Sequence, residues 1–227
     1  MSLMTALDPP LSLTERAVAA IRRDILVTRA APGAALSEAS LAEAMQLGKA
    51  PVRAALARLA EEGLVTAIPR RGWVVSLVTI RDIHEVFDLR LLLEPEAARR
   101  AAGRVDATEL HRLDAVCAAG YRPEDGDSAA AFLAANKAFH VAVAELSGNA
   151  RLARQVDRLL DESTRMLVLG LRRRDRSGEM AHEHQALIEA LALGRPEEAA
   201  RLMHEQVDAS RRMVLAALTA PDAGISI

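Results

Sequence analysis

The chain has few aromatic residues and a single cysteine. Of its 227 residues, 51% are apolar, but only one Trp, one Tyr and three Phe are aromatic. A core with so few rings must pack aliphatic side chains, and the abundance of Ala, Leu, Arg and Glu favours helices over an all-β fold. Cys117 stands alone, which excludes an intrachain disulfide and a multi-thiolate metal site. We therefore expect a mainly α fold.

Long apolar runs and a strong charge imbalance are also missing. The apolar stretches fall short of the roughly 20 residues that span a bilayer. The first residues lack the charged-then-apolar layout of a secretory signal, so we expect a cytoplasmic protein with no membrane partner. The net charge is -2, which excludes a uniformly basic coat, but residues 1–79 carry 9 Lys and Arg against 7 Asp and Glu, and the remainder 20 against 24. This asymmetry favours nucleic-acid contact through the first part of the chain.

Residues 11–78 show the helix pattern of a helix-turn-helix. Apolar positions recur at helical spacing over Leu13–Val27, which predicts a first helix. Ser37 can cap a short second helix that ends near Gly48, and Pro51 lies in the first turn of a third helix, where its missing N–H costs nothing. Two short helices around a tight turn form a helix-turn-helix.

A β-hairpin is predicted after the third helix. Leu64–Ala67 and Trp73–Leu77 are β-prone runs, and the turn between them carries Arg70 and Arg71. A helix of this length fits the major groove, and a basic hairpin beside it can reach flanking phosphates or the minor groove. The geometry of three helices plus a β-hairpin, a winged helix-turn-helix, suits double-stranded DNA.

The sequence LSEASLAEAMQLGKAPVRAALARLAEEGLVTAIPRRGWVV, which begins at Leu36, resembles the winged helix of the GntR family of transcription regulators. The resemblance covers about residues 11–78 and implies a DNA-binding domain. It also implies which residues contact DNA on the recognition helix and the wing: Lys49, Ala50, Arg53, Arg70, Arg71 and Gly72.

Some positions depart from the family pattern. Lys49 and Ala50 stand where the family usually has Arg and Thr, and Ala39 stands where many members carry another Arg. An Arg that grips guanine in a fork is not replaced like for like by Lys. The resemblance therefore does not predict which operator sequence the protein binds. One alternative function is a helical interaction protein whose DNA-binding half no longer binds DNA. Taken singly, Arg53 and Arg58 also fit solvated helix residues, and Arg70 and Arg71 a polar turn.

The pattern of residues 79–218 predicts an all-α bundle of six helices. The number would be seven if the fourth helix is divided by a kink near Gly170. Glycines and a proline-containing stretch separate the apolar stripes. The predicted helices are Ile80–Ala102, Ala107–Ala119, Ser128–Leu146, Arg151–Arg174, Glu179–Leu193 and Pro196–Leu218. The basic run over Arg172–Arg176 lies near a helix end, where solvation and the helix dipole explain it.

Helical wheels place four polar side chains on buried faces of this bundle. Asn136 and His140 lie one turn apart, and His184 and Gln206 would stand side by side in an antiparallel hairpin. His182 and His204 point outward. Four polar groups in an aliphatic interior must satisfy one another, bind water or hold an ion.

The same region resembles the FadR-type C-terminal (FCD) ligand-binding domain of GntR regulators, through DLRLLLEPEAARRAA, NKAFHVAVAELSGN and EHQALIEALALGRPEEAARLM. Many members hold a divalent metal with one aspartate and three histidines. His140 and His184 match that set, whereas Asn136 replaces the aspartate and Gln206 the last histidine. Two hypotheses therefore remain for this site: it binds a metal of the zinc or nickel class, or it is a metal-free, hydrogen-bonded polar pocket.

The resemblance implies a small organic-acid effector held by Arg90, Asn136, His140, His184 and Gln206, although Arg90 could equally form a surface ion pair with Asp88 or Glu94. It implies a regulator, by family habit a repressor, rather than an enzyme. A single recognition helix reads too few base pairs for useful specificity. We therefore expect a homodimer that binds a palindromic operator with two recognition helices. The rival hypothesis is a metal-dependent hydrolase with Glu183 as base, but HEH lacks the HExxH spacing that such sites use.

Overall fold

The chain divides into two compact units, Met1–Leu77 and Val78–Ile227. The computed structural model describes residues 11–27, 29–70, 72–122 and 126–219. Each unit has its own hydrophobic core, so each is described by itself.

The described part of the N-terminal unit contains three helices: α1 (Leu13–Leu26), α2 (Glu38–Ala44) and α3 (Lys49–Glu61). Ser12 and Glu15 form a capping box that starts α1, and the side chain of Ser37 caps α2 as predicted. Pro51 lies in the first turn of α3. The helices pack through aliphatic side chains that are almost fully buried, among them Ile21, Ile25, Val52, Leu56 and Leu59.

A small antiparallel sheet completes this unit. The predicted hairpin is present as β2 (Val65–Ile68) and β3 (Gly72–Val75), with Ile68 opposite Gly72. A further strand, β1 (Ala35–Leu36), pairs with β3 and gives the strand order β1-β3-β2. The prediction of a hairpin alone was therefore incomplete, because a two-residue strand is too short to show the alternation that marks strands in a sequence.

Six helices form the described part of the C-terminal unit, as the sequence predicted, and their ends lie within three residues of the predicted ones. They are α4 (Ile80–Ala101), α5 (Ala107–Ala118), α6 (Gly126–Leu146), α7 (Ala150–Leu171), α8 (Ser177–Ala192) and α9 (Pro196–Thr219). The fourth runs through Gly170 as one helix, α7, so the seven-helix alternative is wrong. Gly170 lacks the side chain that would collide with Met213 of α9.

The segment Ser128–Leu146 of α6 is long and apolar enough to pass a test for a membrane span based on length and composition. In the structure it is a core helix of the bundle. Phe132, Leu133, Phe139 and Val143 are buried against the neighbouring helices, and the buried face also carries His140. These buried positions account for part of its apolar composition, since 39% of the segment is buried.

Candidate DNA-binding interface and ligand site

Helix α3 presents an exposed face of small and basic side chains. Lys49, Ala50 and Arg53 are exposed, while Val52 and Leu56 of the same helix are buried in the core of the N-terminal unit. The predicted DNA-contacting residues of the recognition helix therefore share one accessible face. Their contact with DNA stays a prediction.

Arg53 is held by a carboxylate that the sequence analysis did not identify. Its Nε lies 3.0 Å from both carboxylate oxygens of Glu38, and its Nη2 donates to Oε2 at 2.7 Å. Trp73 Nε1 donates to Glu38 Oε1 at 3.1 Å, so this acid joins α2, α3 and β3. The hydrogen bonds from Arg53, and next those from Trp73, lower the pKa of Glu38.

The Arg53 side chain is nevertheless 68% exposed. A guanidinium fixed on one edge and open on the other keeps donors available for a phosphate or a base edge. Glu38 therefore acts as a positioning partner that orients Arg53 without burying it.

The tip of the wing is a tight turn. Arg70 has a φ of 65° and Gly72 a φ of 91°, a left-handed conformation that suits glycine and is uncommon for arginine. Both residues are exposed. Arg71 lies outside the described residues, and the role of this turn in DNA binding stays a prediction.

The structure buries the four polar side chains that the helical wheels placed inward. Asn136, His140, His184 and Gln206 are each at most 3% exposed, and His182 and His204 are exposed. We call these four the interior polar cluster. The imidazole rings of His140 and His184, from α6 and α8, have centroids 5.7 Å apart.

Each of the two buried histidines rests on a carboxylate from another helix. His140 Nδ1 lies 2.5 Å from Glu94 Oε2, and His184 Nδ1 lies 2.5 Å from Asp114 Oδ1. A carboxylate behind Nδ1 fixes the orientation of an imidazole and directs Nε2 toward a ligand, as is common for histidines that bind metals.

The contacts of Glu94 and Asp114 with the two histidines were not predicted from the sequence, although a signal was present. Both lie on the buried faces of their helices, Glu94 between Arg90 and Ala97 on α4, and Asp114 between Leu110 and Cys117 on α5. A wheel drawn for acids as well as for histidines would have placed both carboxylates inside the bundle.

Arg90 lies beneath this arrangement and is not a surface residue. Its side chain is 2% exposed, its Nε donates to Glu94 Oε1 at 2.6 Å, and its Nη1 donates to Ser163 Oγ at 3.2 Å. Arg90 therefore pairs with Glu94, as one alternative predicted, but the pair is buried and does not lie on the surface. Asp88 instead pairs with Arg211.

The electrostatics of this buried group follow from its pairing. Burial raises the pKa of Glu94, but the adjacent Arg90 and His140 outweigh it and lower the pKa to about 2. Glu94 is therefore ionised at neutral pH. Burial lowers the pKa of His184 in spite of its hydrogen bond to Asp114, which favours a neutral imidazole able to accept or to ligate.

Several buried atoms of the interior polar cluster have no hydrogen-bond partner within the described part of the chain. They are Asn136 Oδ1, His184 Nε2, and both Gln206 Oε1 and Nε2. An unpaired buried polar atom costs about 1–3 kcal/mol, so such a group in a native protein calls for a partner from outside the chain. The donor set comprises imidazole nitrogen and amide oxygen, which suits a divalent metal or a polar organic ligand.

A second grouping with metal-ligand atoms overlaps this cluster. Potential ligand atoms of Asp114, Cys117 and His184 lie within 4.8 Å of one another, all buried. Burial, with a contribution from Asp114, raises the pKa of Cys117 to about 12, and its Sγ faces the carbonyl of Phe132 at 3.7 Å. Because Asp114 Oδ1 contacts His184 Nδ1, we assign Asp114 to holding His184 in place.

Glu183, the base of the rival hydrolase hypothesis, is committed elsewhere. Its Oε1 accepts from Arg176 Nη2 at 2.5 Å, whereas Asp114 supports the adjacent His184. Glu183 therefore forms an ion pair with Arg176, while Asp114 supplies the carboxylate that contacts His184.

Two family models match the chain. The model described as "Bacterial regulatory proteins, gntR family" matches residues 13–75, and the model of the FCD domain matches residues 85–209. The first match contains α1 to β3, and the second contains all four residues of the interior polar cluster.

The chain is also similar to individual regulators. It is 31% identical over 114 residues to the HTH-type transcriptional repressor RspR of Escherichia coli, an alignment that covers 50% of each chain. The alignment thus spans about half the length of that relative. It is 26% identical over 201 residues to the repressor GlaR of Escherichia coli, covering 82% of this chain and 89% of that one.

Solved structures share the fold. Escherichia coli McbR/YncC aligns with a TM-score of 0.75 and 22% identity over 90% of this chain and 98% of that one. A regulator from Rhodococcus sp. RHA1 aligns with a TM-score of 0.74 and 23% identity over 91% and 99%. Together with the family models, these similarities show that the chain belongs to the GntR family of bacterial transcription regulators and carries an FCD domain as its C-terminal unit.

Proposed function

We propose that this chain is a cytoplasmic repressor that binds a palindromic DNA operator as a homodimer and is released by a small organic acid bound at the interior polar cluster. The exposed basic face of α3 supports DNA binding, since Arg53 is oriented by Glu38 and remains open to solvent. The names of RspR and GlaR as repressors support the direction of regulation.

One observation carries the proposal of a ligand in the C-terminal unit: the unpartnered buried atoms of Asn136, His184 and Gln206. Apolar side chains would fill an interior without that cost, so polar groups left open in a core indicate a binding site. The pairing of Glu94 with Arg90 makes Arg90 a supporting charge in the wall of this site. Its Nε and Nη1 are already engaged by the chain itself.

We further propose that the site holds one divalent metal of the zinc or nickel class. Nε2 of His140 and of His184 would be its nitrogen ligands, with the amide oxygens of Asn136 and Gln206 completing the protein's share. A metal bound there would supply a positive charge that attracts an effector carboxylate. Glu94 and Asp114 contact Nδ1 of the two imidazoles, which leaves Nε2 as the nitrogen able to bind the metal.

The test is the metal content of full-length protein purified without a nickel column, measured by elemental mass spectrometry. We expect near-stoichiometric metal in the wild type and in His204→Ala, because His204 is exposed on the same helix as Gln206. We expect loss of metal in His184→Ala and in an Asn136→Ala/His140→Ala double variant.

Equal and low metal content in all four proteins would contradict the metal proposal. The effector proposal would then be tested separately, by titrating small carboxylic acids against the protein bound to a duplex from upstream of its own gene. Release of the wild type but not of His184→Ala is the expected result, and release of neither would contradict the effector site.

The homodimer is supported by an apolar strip on α4. Leu89 and Leu92, close to one turn apart, are 48% and 69% exposed, and exposed aliphatic pairs on a helix favour association with another surface. We expect Leu92→Glu to shift the protein from dimer to monomer in light scattering, and Leu193→Glu, at an exposed leucine that follows α8, to leave it dimeric. A monomeric wild type at micromolar concentration would contradict the proposal.

A further inference from the structure

A second polar feature of the C-terminal unit consists of Arg176, Glu179 and Glu183, none of which belongs to the interior polar cluster. Arg176, the last residue of a basic run, is only 4% exposed. Its Nε donates to Glu179 Oε2 at 2.6 Å and its Nη2 to Glu183 Oε1 at 2.5 Å. Solvation, expected from the sequence for this run, is therefore wrong for Arg176, because the fold turns it inward at the start of α8.

Two buried atoms of this group have no hydrogen-bond partner in the described part of the chain: Arg176 Nη1 and Glu183 Oε2. The first is a donor that needs an acceptor, and the second is an oxygen that needs a donor. A single external group that carries both an anionic oxygen and an O–H would satisfy them together.

The two residues line a cleft of about 600 Å³, open to solvent, between the end of α7, the start of α8 and the last turns of α9. We call it the arginine cleft. Its charged lining consists of Arg173, Arg174, Arg176 and Arg212 against Glu179 and Glu183. Arg174 is paired with Glu179, and Arg212 with Asp208. Arg176 Nη1 is the guanidinium nitrogen of this lining that is buried and has no partner in the described part of the chain, so it is the donor available to an anion.

Arg176 is the N-cap residue of α8, and its side chain makes no capping hydrogen bond. Asp175 Oδ1 accepts from the backbone N–H of Ser177 at 2.8 Å instead, so the Arg176 guanidinium stays available to the cleft that it lines. Guanidinium groups also match the fork geometry of phosphate oxygens.

We propose that the arginine cleft binds a phosphate group, whose anionic oxygens face Arg176 and Arg212 and whose O–H, or that of a neighbouring hydroxyl, donates to Glu183 Oε2. The cleft has room for more than the phosphate group itself, so both inorganic phosphate and a hydroxylated phosphate monoester fit its chemistry. This would be a second ligand site of the FCD domain, independent of the effector proposed for the interior polar cluster.

The test is calorimetric titration of full-length protein in a phosphate-free buffer with inorganic phosphate, glycerol 3-phosphate and sulfate. Sulfate has the shape and charge of phosphate but no O–H at neutral pH, so it must bring a bare oxygen against Glu183. We expect phosphate to bind at least about tenfold more tightly than sulfate, the ratio that one unpaired buried oxygen accounts for. Tighter binding of glycerol 3-phosphate than of phosphate would identify a monoester as the ligand, and the reverse would identify the free ion.

Variants of exposed and buried positions separate binding from folding. Arg212→Gln changes a side chain that is 68% exposed, so we expect the protein to fold and phosphate affinity to fall about tenfold. Arg201→Gln is the matched control, an exposed arginine in a similar ion pair on the same helix, and should bind as the wild type does. Glu183→Gln should abolish the preference for phosphate over sulfate, because an amide nitrogen can donate to either anion.

Two results would overturn the proposal. One is the absence of binding by phosphate and by glycerol 3-phosphate up to about 10 mM, weaker than any specific site. The other is phosphate binding that survives Arg212→Gln but is lost in His184→Ala, which would place the anion at the interior polar cluster instead. Failure of the metal or effector proposals leaves these readouts unchanged.

Discussion

Replacement of Glu94 by glutamine is the most direct way to probe how the interior polar cluster is held. Glu94 is 1% exposed and accepts from Arg90 and His140 at 2.6 and 2.5 Å. Because its pKa is about 2, Glu94→Gln removes a full negative charge at neutral pH while keeping the shape of the side chain. The buried Arg90 guanidinium then has no counter-charge.

The expected cost follows from the burial of the pair. Removal of one partner of a buried ion pair costs about 3–5 kcal/mol, because it leaves the other charge uncompensated. Glutamine can still accept one hydrogen bond from Arg90. We therefore expect Glu94→Gln to lower the free energy of unfolding by about 3 kcal/mol, the lower end of this range. For a unit of this size, that corresponds to a fall in Tm of about 6–12 °C.

Two optical probes separate the units in the full-length protein. Far-UV circular dichroism follows mainly the helices of the C-terminal unit, whereas Trp73, the only tryptophan of the chain, reports on the N-terminal unit. We expect Glu94→Gln to lower the Tm measured by circular dichroism and to leave the Tm measured by Trp73 fluorescence unchanged. Each transition is treated as two-state for its own unit.

Glu96→Gln on the same helix is the matched control. Glu96 pairs with Arg99 and Arg100 at 2.7 Å, but its side chain is 36% exposed, so the loss of these pairs should cost less than about 1 kcal/mol. If Glu94→Gln and Glu96→Gln were equally stable within about 1 kcal/mol, the argument that Arg90 depends on Glu94 would be refuted.

Two further predictions use matched pairs of variants. Arg53→Gln should weaken binding to a duplex from upstream of the protein's own gene about tenfold or more in fluorescence anisotropy, while Arg58→Gln should change it less than about threefold; equal effects would contradict a specific role for Arg53. Gly170→Ala should lower the free energy of unfolding by about 1 kcal/mol, because the added Cβ would lie 2.8 Å from Met213 Cε and 3.2 Å from its Cγ, and an overpacking cost of about 2 kcal/mol exceeds the roughly 1 kcal/mol gained from the helix propensity of alanine. Gly178→Ala, with no atom within 4 Å, should raise it by up to about 1 kcal/mol, since alanine favours helix; the same sign for both glycines would contradict the packing argument.

The helical part of the fold could be predicted because each long helix buries one apolar stripe. Periodicity located α4 to α9 to within a few residues, and the capping role of Ser37 followed from its position before α2. Strand β1 escaped because its two residues gain their strand character from pairing with β3, a contact between distant parts of the chain. Local sequence carries no record of such a contact.

The site could be predicted only in part, for a similar reason. Helical wheels fix the direction of a side chain, so the burial of His140 and His184 was foreseeable. Their carboxylate partners come from other helices, and the packing of α4 and α5 against them determines which acid meets which histidine. Arg176 shows the opposite error, since a run of arginines favours a solvated surface and only the tertiary fold reveals that one of them is buried.

The distribution of charge around the interior polar cluster bears on what it binds. Both carboxylates that contact the histidines lie behind them, at Nδ1, while the other two residues of the interior polar cluster, Asn136 and Gln206, carry neutral amides. A metal held by two imidazoles and two amide oxygens keeps its full double charge, whereas a carboxylate ligand would cancel part of it. The amide ligands should therefore strengthen the attraction of a bound metal for an anionic effector. In this chain the effector's own carboxylate would supply the charge that an aspartate supplies elsewhere in the family, so metal and effector should bind cooperatively.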